Sequence, residues 1–287
     1  MAEKLKYFVN GQFRESKTDK WYDLHNPSTG EITGQAPCCT NDEVLEAIAA
    51  AKAAYPGWSA TPAIKRAQIL YRVRELILER MDELTMSVAK ENGKVWAESE
   101  GDVLKAKEGT ELATQVPSLM MGESIMDASR GYDTVKYREP LGVFAGIVPV
   151  NFPAMIPFGW MAPTCIAAGN TLVLKAASLT PKTAMLFAQL YKDAGVPDGV
   201  INVVTCSRNE INTILEHPDV KGITFVGSTP VGLKIYEKAA ANGKRCQALC
   251  QAKNHALVME DCALERTVAG VINSAFGCAG QRCMALS

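Results

Sequence analysis

The feature that most constrains the fold is a regular alternation of short β-rich runs with helical segments between residues 141 and 241. Strands are predicted over 142–148, 171–174, 200–204 and 223–226, and the alternating helices over 153–168, 180–194, 209–216 and 230–241. Strand–helix units with short connections need right-handed crossovers, which produce a parallel sheet with helices on both faces. This α/β segment is therefore predicted to bind its ligand outside the carboxyl ends of its strands.

The segment before residue 141 has its own start and stop signals. An Asn-Gly pair inside Tyr7–Phe13 predicts a β-hairpin. Thr40 and Glu43 form a capping-box pattern before an Ala-rich helix. Pro62 begins a helical pattern that runs to Asn92-Gly93, and a third helix is predicted over 94–115. The N-terminal part of the chain is therefore predicted to be mainly helical.

After Asn242-Gly243 the pattern begins again. Strands are predicted over 246–250 and 256–259, followed by a helix over 264–276. Only a short segment remains beyond that helix. We therefore predict a first domain over residues 1–243 and a second over residues 244–287 that has no room to finish.

Composition and charge exclude several classes of protein. The 287 residues include 30 Lys and Arg against 31 Asp and Glu, so no excess of positive charge is present for contacts with nucleic-acid phosphates. The most apolar stretch, 143–168, is interrupted by four prolines, which argues against a membrane partner or span. No apolar run follows the first residues, so we expect no secretory signal and a cytoplasmic location. Nine scattered cysteines are expected to be reduced thiols.

The segment 225–232 is a candidate phosphate site. A predicted strand ends at Gly227-Ser228, and a helix begins at Thr229-Pro230. Free amide groups and the helix dipole at such a junction favour an anion. The alternative is an ordinary strand-to-helix turn capped by Ser228, since the segment lacks the Gly-x-Gly-x-x-Gly dinucleotide pattern.

Three further positions could take part in chemistry. Asn151 lies between Pro149 and Pro153 after a predicted strand, where a fixed amide can donate to a developing oxyanion. Cys283 follows small residues after a helix, beside Arg282, which could lower the thiol pKa or attract an anionic substrate. Lys175 places a cation at a strand end. The alternatives are a turn asparagine, a buried apolar cysteine and a solvated lysine.

A zinc site is a further alternative. Cys246, Cys250, His255 and Cys262 could supply ligands, but they lack Cys-x-x-Cys spacing. No metal is therefore expected.

Four segments in this order resemble the aldehyde dehydrogenase superfamily: 149–153, 169–175, 225–232 and 280–283. The segments 117–122, 252–255 and 280–285 are most similar to its methylmalonate-semialdehyde dehydrogenase branch. The resemblance covers nearly the whole chain. It implies the aldehyde dehydrogenase fold, with a Rossmann-like parallel sheet and flanking helices in the first domain and an incomplete catalytic domain after it.

The resemblance also implies roles for individual residues. Cys283 would be the nucleophile that attacks the aldehyde, and Asn151 with the Cys283 backbone amide would hold the oxyanion. Hydride would pass to a nicotinamide cofactor, NAD or NADP, leaving a thioester on Cys283. The implied cofactor-binding residues are Pro149, Val150, Lys175, Ser178, Gly227 and Ser228.

Departures from the family pattern refine these expectations. Leu249 stands where most members have the Glu that activates water, so acyl transfer to coenzyme A is expected instead, as in the semialdehyde branch. Ser178 replaces a Glu of NAD-selective relatives, which removes repulsion of a 2′-phosphate and makes NADP a candidate. Arg282 matches one of two substrate-clamping arginines, whereas Lys105 holds the other position and lacks the planar fork. Gln251 replaces a glycine.

The sequence leaves three functional interpretations. The first is a CoA-acylating dehydrogenase acting on a short-chain carboxylated semialdehyde. The second is a hydrolytic aldehyde dehydrogenase in which another base replaces the missing Glu. The third is a nucleotide-binding fragment without turnover, because family members continue well past the nucleophile. The resemblance implies a homo-oligomeric parent protein, and a truncated chain is expected to associate through exposed apolar surface.

Overall fold

The computed structural model describes residues 3–286. Its strands are β1 (Tyr7–Val9), β2 (Gln12–Arg14), β3 (Trp21–His25), β4 (Ile32–Pro37), β5 (Ser124–Ser129), β6 (Tyr132–Val135), β7 (Val143–Ile147), β8 (Thr171–Lys175), β9 (Ile201–Val204), β10 (Val220–Gly227) and β11 (Arg245–Cys250). Its α-helices are α1 (Asn41–Ala60), α2 (Ala63–Glu79), α3 (Met81–Asn92), α4 (Trp96–Ala113), α5 (Val116–Leu119), α6 (Ala162–Ala167), α7 (Lys182–Asp193), α8 (Arg208–Glu216), α9 (Thr229–Ala241) and α10 (Leu264–Phe276). A π-helical turn, Ile156–Met161, precedes α6, and a 3-10 turn, Cys278–Gly280, follows α10.

Seven strands form one sheet in the order β11-β10-β7-β8-β9-β1-β2. The five strands from β11 to β9 are parallel, as the alternation of strands and helices predicts, and β1 and β2 add an antiparallel edge. The chain moves from β7 through β8 to β9, and then returns to place β10 on the other side of β7. This reversal creates a switch point between β7 and β10, where the loops leaving the two strands diverge.

The reversal also distributes the helices. Because parallel crossovers are right-handed, α6 and α7 lie on one face of the sheet and α8 and α9 lie on the other. Helix α1 packs on β8 and β9 and contacts α8, whereas α2, α3 and α4 pack around α6, α7 and the π-helical turn. The central strands β8 and β9 are almost completely buried, as expected for a sheet covered on both faces.

Several local signals are confirmed. Asn10 and Gly11 adopt φ angles of 50° and 70° between β1 and β2, as the hairpin signal requires. Thr40 accepts from the backbone N–H of Glu43 while the Glu43 side chain accepts from the Thr40 N–H, which completes the capping box. The helix beginning after Pro62 is also present.

Other sequence expectations are wrong in detail. The helix predicted from Pro62 to Asn92 is broken at Arg80 into α2 and α3. The apolar run 256–259 is irregular rather than a strand. Strand β11, assigned by the sequence to the second domain, instead pairs in parallel with β10, so the sheet extends beyond residue 243. The division of the chain into two domains stays a prediction.

All nine cysteines are free thiols. None of the helices within residues 3–286 combines the length and apolar composition needed to cross a bilayer.

Candidate active site

A cavity of about 600 Å³ lies at the carboxyl ends of β7 and β10, at the switch point of the sheet. Its lining residues are Pro149, Val150, Asn151, Trp160, Val226, Gly227, Ser228, Leu249, Cys250, Gln251, Ala252, Gly280, Gln281, Arg282, Cys283 and Met284. Seven of the residues predicted to form the site therefore meet in one cavity, although they come from three distant segments. They are Pro149, Val150, Asn151, Gly227, Ser228, Arg282 and Cys283.

Asn151 connects two walls of this cavity. Its side-chain Nδ2 donates to the backbone carbonyl of Gln281 at 2.7 Å, two residues before Cys283. The Asn151 Oδ1 atom is buried and accepts no hydrogen bond from the described residues. The amide N–H₂ group carries two donors, so one remains for a second acceptor in the cavity. An amide donor with a free N–H in the same cavity as a thiol is suited chemically to an oxyanion.

Cys283 follows a tight left-handed turn after α10. Cys278, Ala279 and Gly280 have φ angles of 53°, 55° and 69°, a conformation that costs energy for the two residues with a Cβ. Such strain is often found at functional sites. Asn254 Nδ2 donates to the Cys283 carbonyl oxygen at 2.9 Å, which fixes the backbone beside the half-buried thiol.

Arg282 lies in the same cavity and has two side-chain neighbours. Its Nη2 atom is 3.5 Å from Glu98 Oε1 on α4 and 3.3 Å from Cys278 Sγ. The Glu98 carboxylate therefore orients the Arg282 guanidinium. The guanidinium has five N–H donors, so further donors remain for a substrate carboxylate.

The amino terminus of α9 forms another wall. Ser228 is the N-cap residue in extended conformation, and its side chain makes no capping hydrogen bond to the helix within the described residues. At Gly227 an added Cβ would lie 2.5 Å from a ring carbon of Phe225, so a side chain does not fit there. Open first-turn amides and the positive end of the helix dipole suit a phosphate. The residues present thus fit the pyrophosphate of a dinucleotide.

Three predicted residues lie outside the cavity lining. Lys175 ends β8, where burial lowers its pKa below the ordinary value of a lysine and nearby Cys206 and Cys38 oppose that shift. Ser178 is half-buried in the loop that follows. Lys105 lines a neighbouring groove of about 530 Å³, which shares Trp160, Val226 and Leu249 with the cavity, and its Nζ is 2.6 Å from Glu108 Oε2.

The structure does not gather the zinc ligands considered from the sequence. Among residues 3–286, no three His, Cys, Asp or Glu side chains are placed to share a metal ion. Cys250 instead lines the cavity with its neighbours Leu249 and Gln251.

Trp160 and Asn254 belong to the site but were not predicted from the sequence. Trp160 belongs to an apolar helical pattern, in which a cavity-lining residue has the same spacing as a core residue. Asn254 lies 29 residues before Cys283 and carries no local signal for the contact that it makes.

The chain is similar to several proteins named as semialdehyde dehydrogenases. It is 46% identical over 283 residues to the acylating methylmalonate-semialdehyde/malonate-semialdehyde dehydrogenase of Rattus norvegicus mitochondria, covering 99% of this chain and 53% of the relative. It is 47% identical over 286 residues to malonate-semialdehyde dehydrogenase 2 of Geobacillus kaustophilus, covering 100% of this chain and 59% of the relative. The chain therefore spans little more than half the length of these relatives.

A solved structure gives the same result for the fold. A Sinorhizobium meliloti 1021 protein complexed with NAD is 36% identical, with a TM-score of 0.97 over 100% of this chain and 58% of that one. The model of the aldehyde dehydrogenase family matches residues 13–287, which is nearly the entire sequence. With the cavity at the switch point and Cys283 in its wall, this match shows that the chain belongs to the aldehyde dehydrogenase family.

Proposed function

We propose that this protein oxidises a short-chain semialdehyde with a nicotinamide cofactor and transfers the acyl group from Cys283 to coenzyme A. The observation that carries the proposal is the meeting of Cys283, Asn151 and the α9 amino terminus in one cavity. A thiol, an amide donor and an anion-binding helix end are the groups that thiol-dependent aldehyde oxidation uses.

The residues support a sequence of bond changes. The Cys283 thiolate adds to the aldehyde carbon, and the carbonyl oxygen takes up negative charge. The Asn151 Nδ2–H and the Cys283 backbone N–H would stabilise that oxyanion, and the Asn151 amide is already held by its hydrogen bond to the Gln281 carbonyl oxygen. A nicotinamide cofactor held at Ser228 and the amino terminus of α9 would supply the acceptor for the hydride that leaves this carbon. A thioester on Cys283 remains.

The cavity wall favours a thiol as the acyl acceptor. None of the sixteen lining residues carries a carboxylate, and Leu249, one of the sixteen, stands where the resemblance places the water-activating Glu. Glu98 lies outside this lining and contacts Arg282. A CoA thiolate attacks the thioester carbon without a protein base, and the Cys283 thiolate leaves, regenerating the nucleophile. The relative from rat is named an acylating enzyme, which agrees with this route.

The substrate is proposed to carry a carboxylate, which a cationic side chain of the cavity would bind. The names of the relatives specify malonate and methylmalonate semialdehydes, which carry a carboxylate. Arg282 adjoins Cys283 in the cavity and is the first candidate for binding that carboxylate. Lys105 in the neighbouring groove is the second candidate, with a charge already paired to Glu108.

The cofactor proposal includes both NAD and NADP. By the resemblance, Lys175 at the end of β8 and Ser178 in the loop after it would lie near the adenosine ribose, and Ser178 has no charge to repel a 2′-phosphate. The structural relative is complexed with NAD. Homo-oligomerisation and a cytoplasmic location stay predictions from the sequence, and the rat relative is named mitochondrial.

The test is formation of reduced cofactor from malonate semialdehyde with NAD or NADP, each with and without CoA. We expect CoA-dependent turnover that disappears in Cys283→Ser and persists in Cys262→Ser, which removes a thiol outside the cavity. Product analysis should show the acyl-CoA. Free acid as the sole product in the presence of CoA would support the hydrolytic enzyme instead. Nucleotide binding without any turnover would support a binding module.

A further inference from the structure

The loop that carries Asn151, residues 150–155, contacts a buried ion pair that takes no part in the proposed reaction. Lys94 lies between α3 and α4, and its Nζ is 3.1 Å from Asp102 Oδ2 on α4. Neither side chain has any exposed surface. A buried ion pair of this kind often contributes little to stability compared with well-packed apolar residues, so folding alone does not account for it.

Both partners contact the loop on the far side of Asn151. The other carboxylate oxygen, Asp102 Oδ1, accepts from the Met155 backbone N–H at 2.7 Å. The Lys94 ammonium lies 3.8 Å from the centre of the Phe152 ring, within the range of a cation–π contact. The residue directly after Asn151 and the start of the following helical turn are therefore fixed by the same pair.

The near side of the loop is also anchored. Asn92 Nδ2 at the end of α3 donates to the Val150 carbonyl oxygen at 2.8 Å, and Thr180 Oγ1 donates to the same oxygen at 3.3 Å. Asn151 thus lies between two anchored points, with its own side chain directed to the Cys283 turn. A donor used in the transition state must be fixed before the reaction, which such anchoring provides.

We propose that Asp102, oriented by Lys94, is a positioning residue that holds Asn151 in place to donate to the oxyanion formed at Cys283. The proposal rests on the proposed function for its kinetic consequences. Its structural content, the fixing of the loop at Met155 by Asp102, does not depend on turnover.

Removal of one partner alone leaves an uncompensated buried charge and risks unfolding. A matched pair of neutral double variants avoids this difficulty. Lys94→Met/Asp102→Asn keeps an oxygen acceptor for the Met155 N–H, whereas Lys94→Met/Asp102→Leu removes it. Glu91→Gln is the control, since Glu91 is another buried carboxylate at the end of α3 that accepts backbone N–H groups, but from α7 rather than from the loop.

The first readout is amide hydrogen exchange of residues 148–158 in the absence of substrate. We expect exchange at least about tenfold faster in the Leu variant than in the Asn variant, because only the Leu variant loses the acceptor for Met155. Glu91→Gln should leave this segment unchanged. Equal exchange in the two double variants would overturn the proposal, whether or not the protein turns over aldehyde.

The second readout is the rate of NADH formation in a single turnover with malonate semialdehyde and NAD. This rate should be about 10²-fold lower in the Leu variant than in the Asn variant, which is the order of loss for one oxyanion donor. The NAD affinity of both variants should stay within about threefold of the wild-type value. In an Asn151→Ala background the same change should have less than about a twofold effect. A full additive loss there would show that Asp102 acts by another route. Absence of turnover in the wild-type protein would count against the proposed function alone, and hydrogen exchange would then decide.

Discussion

At the scale of single residues, a substitution of Arg282 separates binding of the substrate carboxylate from the chemistry at Cys283. Arg282→Gln removes the cation while retaining a planar polar end. We expect KM for malonate semialdehyde to rise by about 10- to 100-fold, the range of one or two charge-assisted hydrogen bonds, with KM for propanal nearly unchanged. Lys105→Gln is the matched control, and we expect a smaller effect because Glu108 already pairs with Lys105. An equal rise in KM for both aldehydes would contradict a carboxylate-binding role.

Glu91 provides a residue-level prediction for stability. Its carboxylate accepts the backbone N–H groups of Lys182 and Thr183, yet burial raises its pKa to about 7. An unfolded Glu titrates near 4.3. The folded state therefore binds the proton more tightly, and this contribution to stability is complete below pH 4.3 and is lost as pH rises through about 7.

Urea unfolding between pH 5 and pH 8 tests this sign. The free energy of unfolding of the wild-type protein should fall with pH relative to that of Glu91→Gln, by at most about 1.4 kcal/mol per pH unit. The control is Glu83→Gln on the same helix, because the Arg80 hydrogen bond lowers the pKa of Glu83 and leaves it ionised throughout this range. A wild-type curve parallel to that of Glu91→Gln would disprove the assignment.

At the scale of elements, the close contact between α4 and the π-helical turn requires a glycine at position 109. A Cβ at Gly109 would lie 2.1 Å from the Gly159 carbonyl oxygen, whereas a Cβ at Gly101 on the same helix meets nothing within 4 Å. Gly109→Ala should therefore destabilise the fold by about 1–3 kcal/mol through overpacking. Gly101→Ala should stabilise it by up to about 1 kcal/mol, because alanine is the better helix former. Equal effects in chemical denaturation would show that the turn can move aside.

Elements with strong local signals could be predicted from the sequence, and those that depend on partners could not. The alternation that produces β7 to α9 reflects burial within each segment and is visible as apolar periodicity. The break at Arg80 has no glycine or proline to mark it. The run 256–259 has strand-like composition but pairs with no strand among the described residues, and a strand without a ladder leaves its backbone groups unpaired.

At the scale of the whole molecule, the site forms because the topology brings distant segments to one edge. The sequence predicts that Asn151, Ser228 and Cys283 are chemically suitable, and the parallel sheet predicts that the first two share a strand-end surface. The position of Cys283 depends on the irregular segment after β11 and on the Asn254 contact, which have no periodic signal. Nor could the contact of Asp102 with the Met155 backbone N–H be predicted, since the two residues are 53 positions apart in the sequence and meet only where α4 packs against the loop that carries Asn151.

The whole molecule also presents an apolar stripe whose effect on association can be measured. No residue of α10 is buried, and Leu264, Val268, Ile272 and Phe276 recur every four residues along it with 47–75% of their surface exposed. Apolar side chains gathered along one side of a helix promote association because their burial releases water. We expect the average mass in light scattering to exceed 31.0 kDa and to rise with protein concentration.

Val268→Lys/Ile272→Lys should return that mass toward the monomer value by placing two charges in the centre of the stripe. Leu233→Lys is the control, because Leu233 is also an exposed apolar residue but belongs to α9 and not to the stripe. Association of the double variant at the wild-type concentration would assign self-contact to another surface. Dissociation in the double variant alone would identify α10 as the contact, because the control carries the same kind of added charge without interrupting the apolar row.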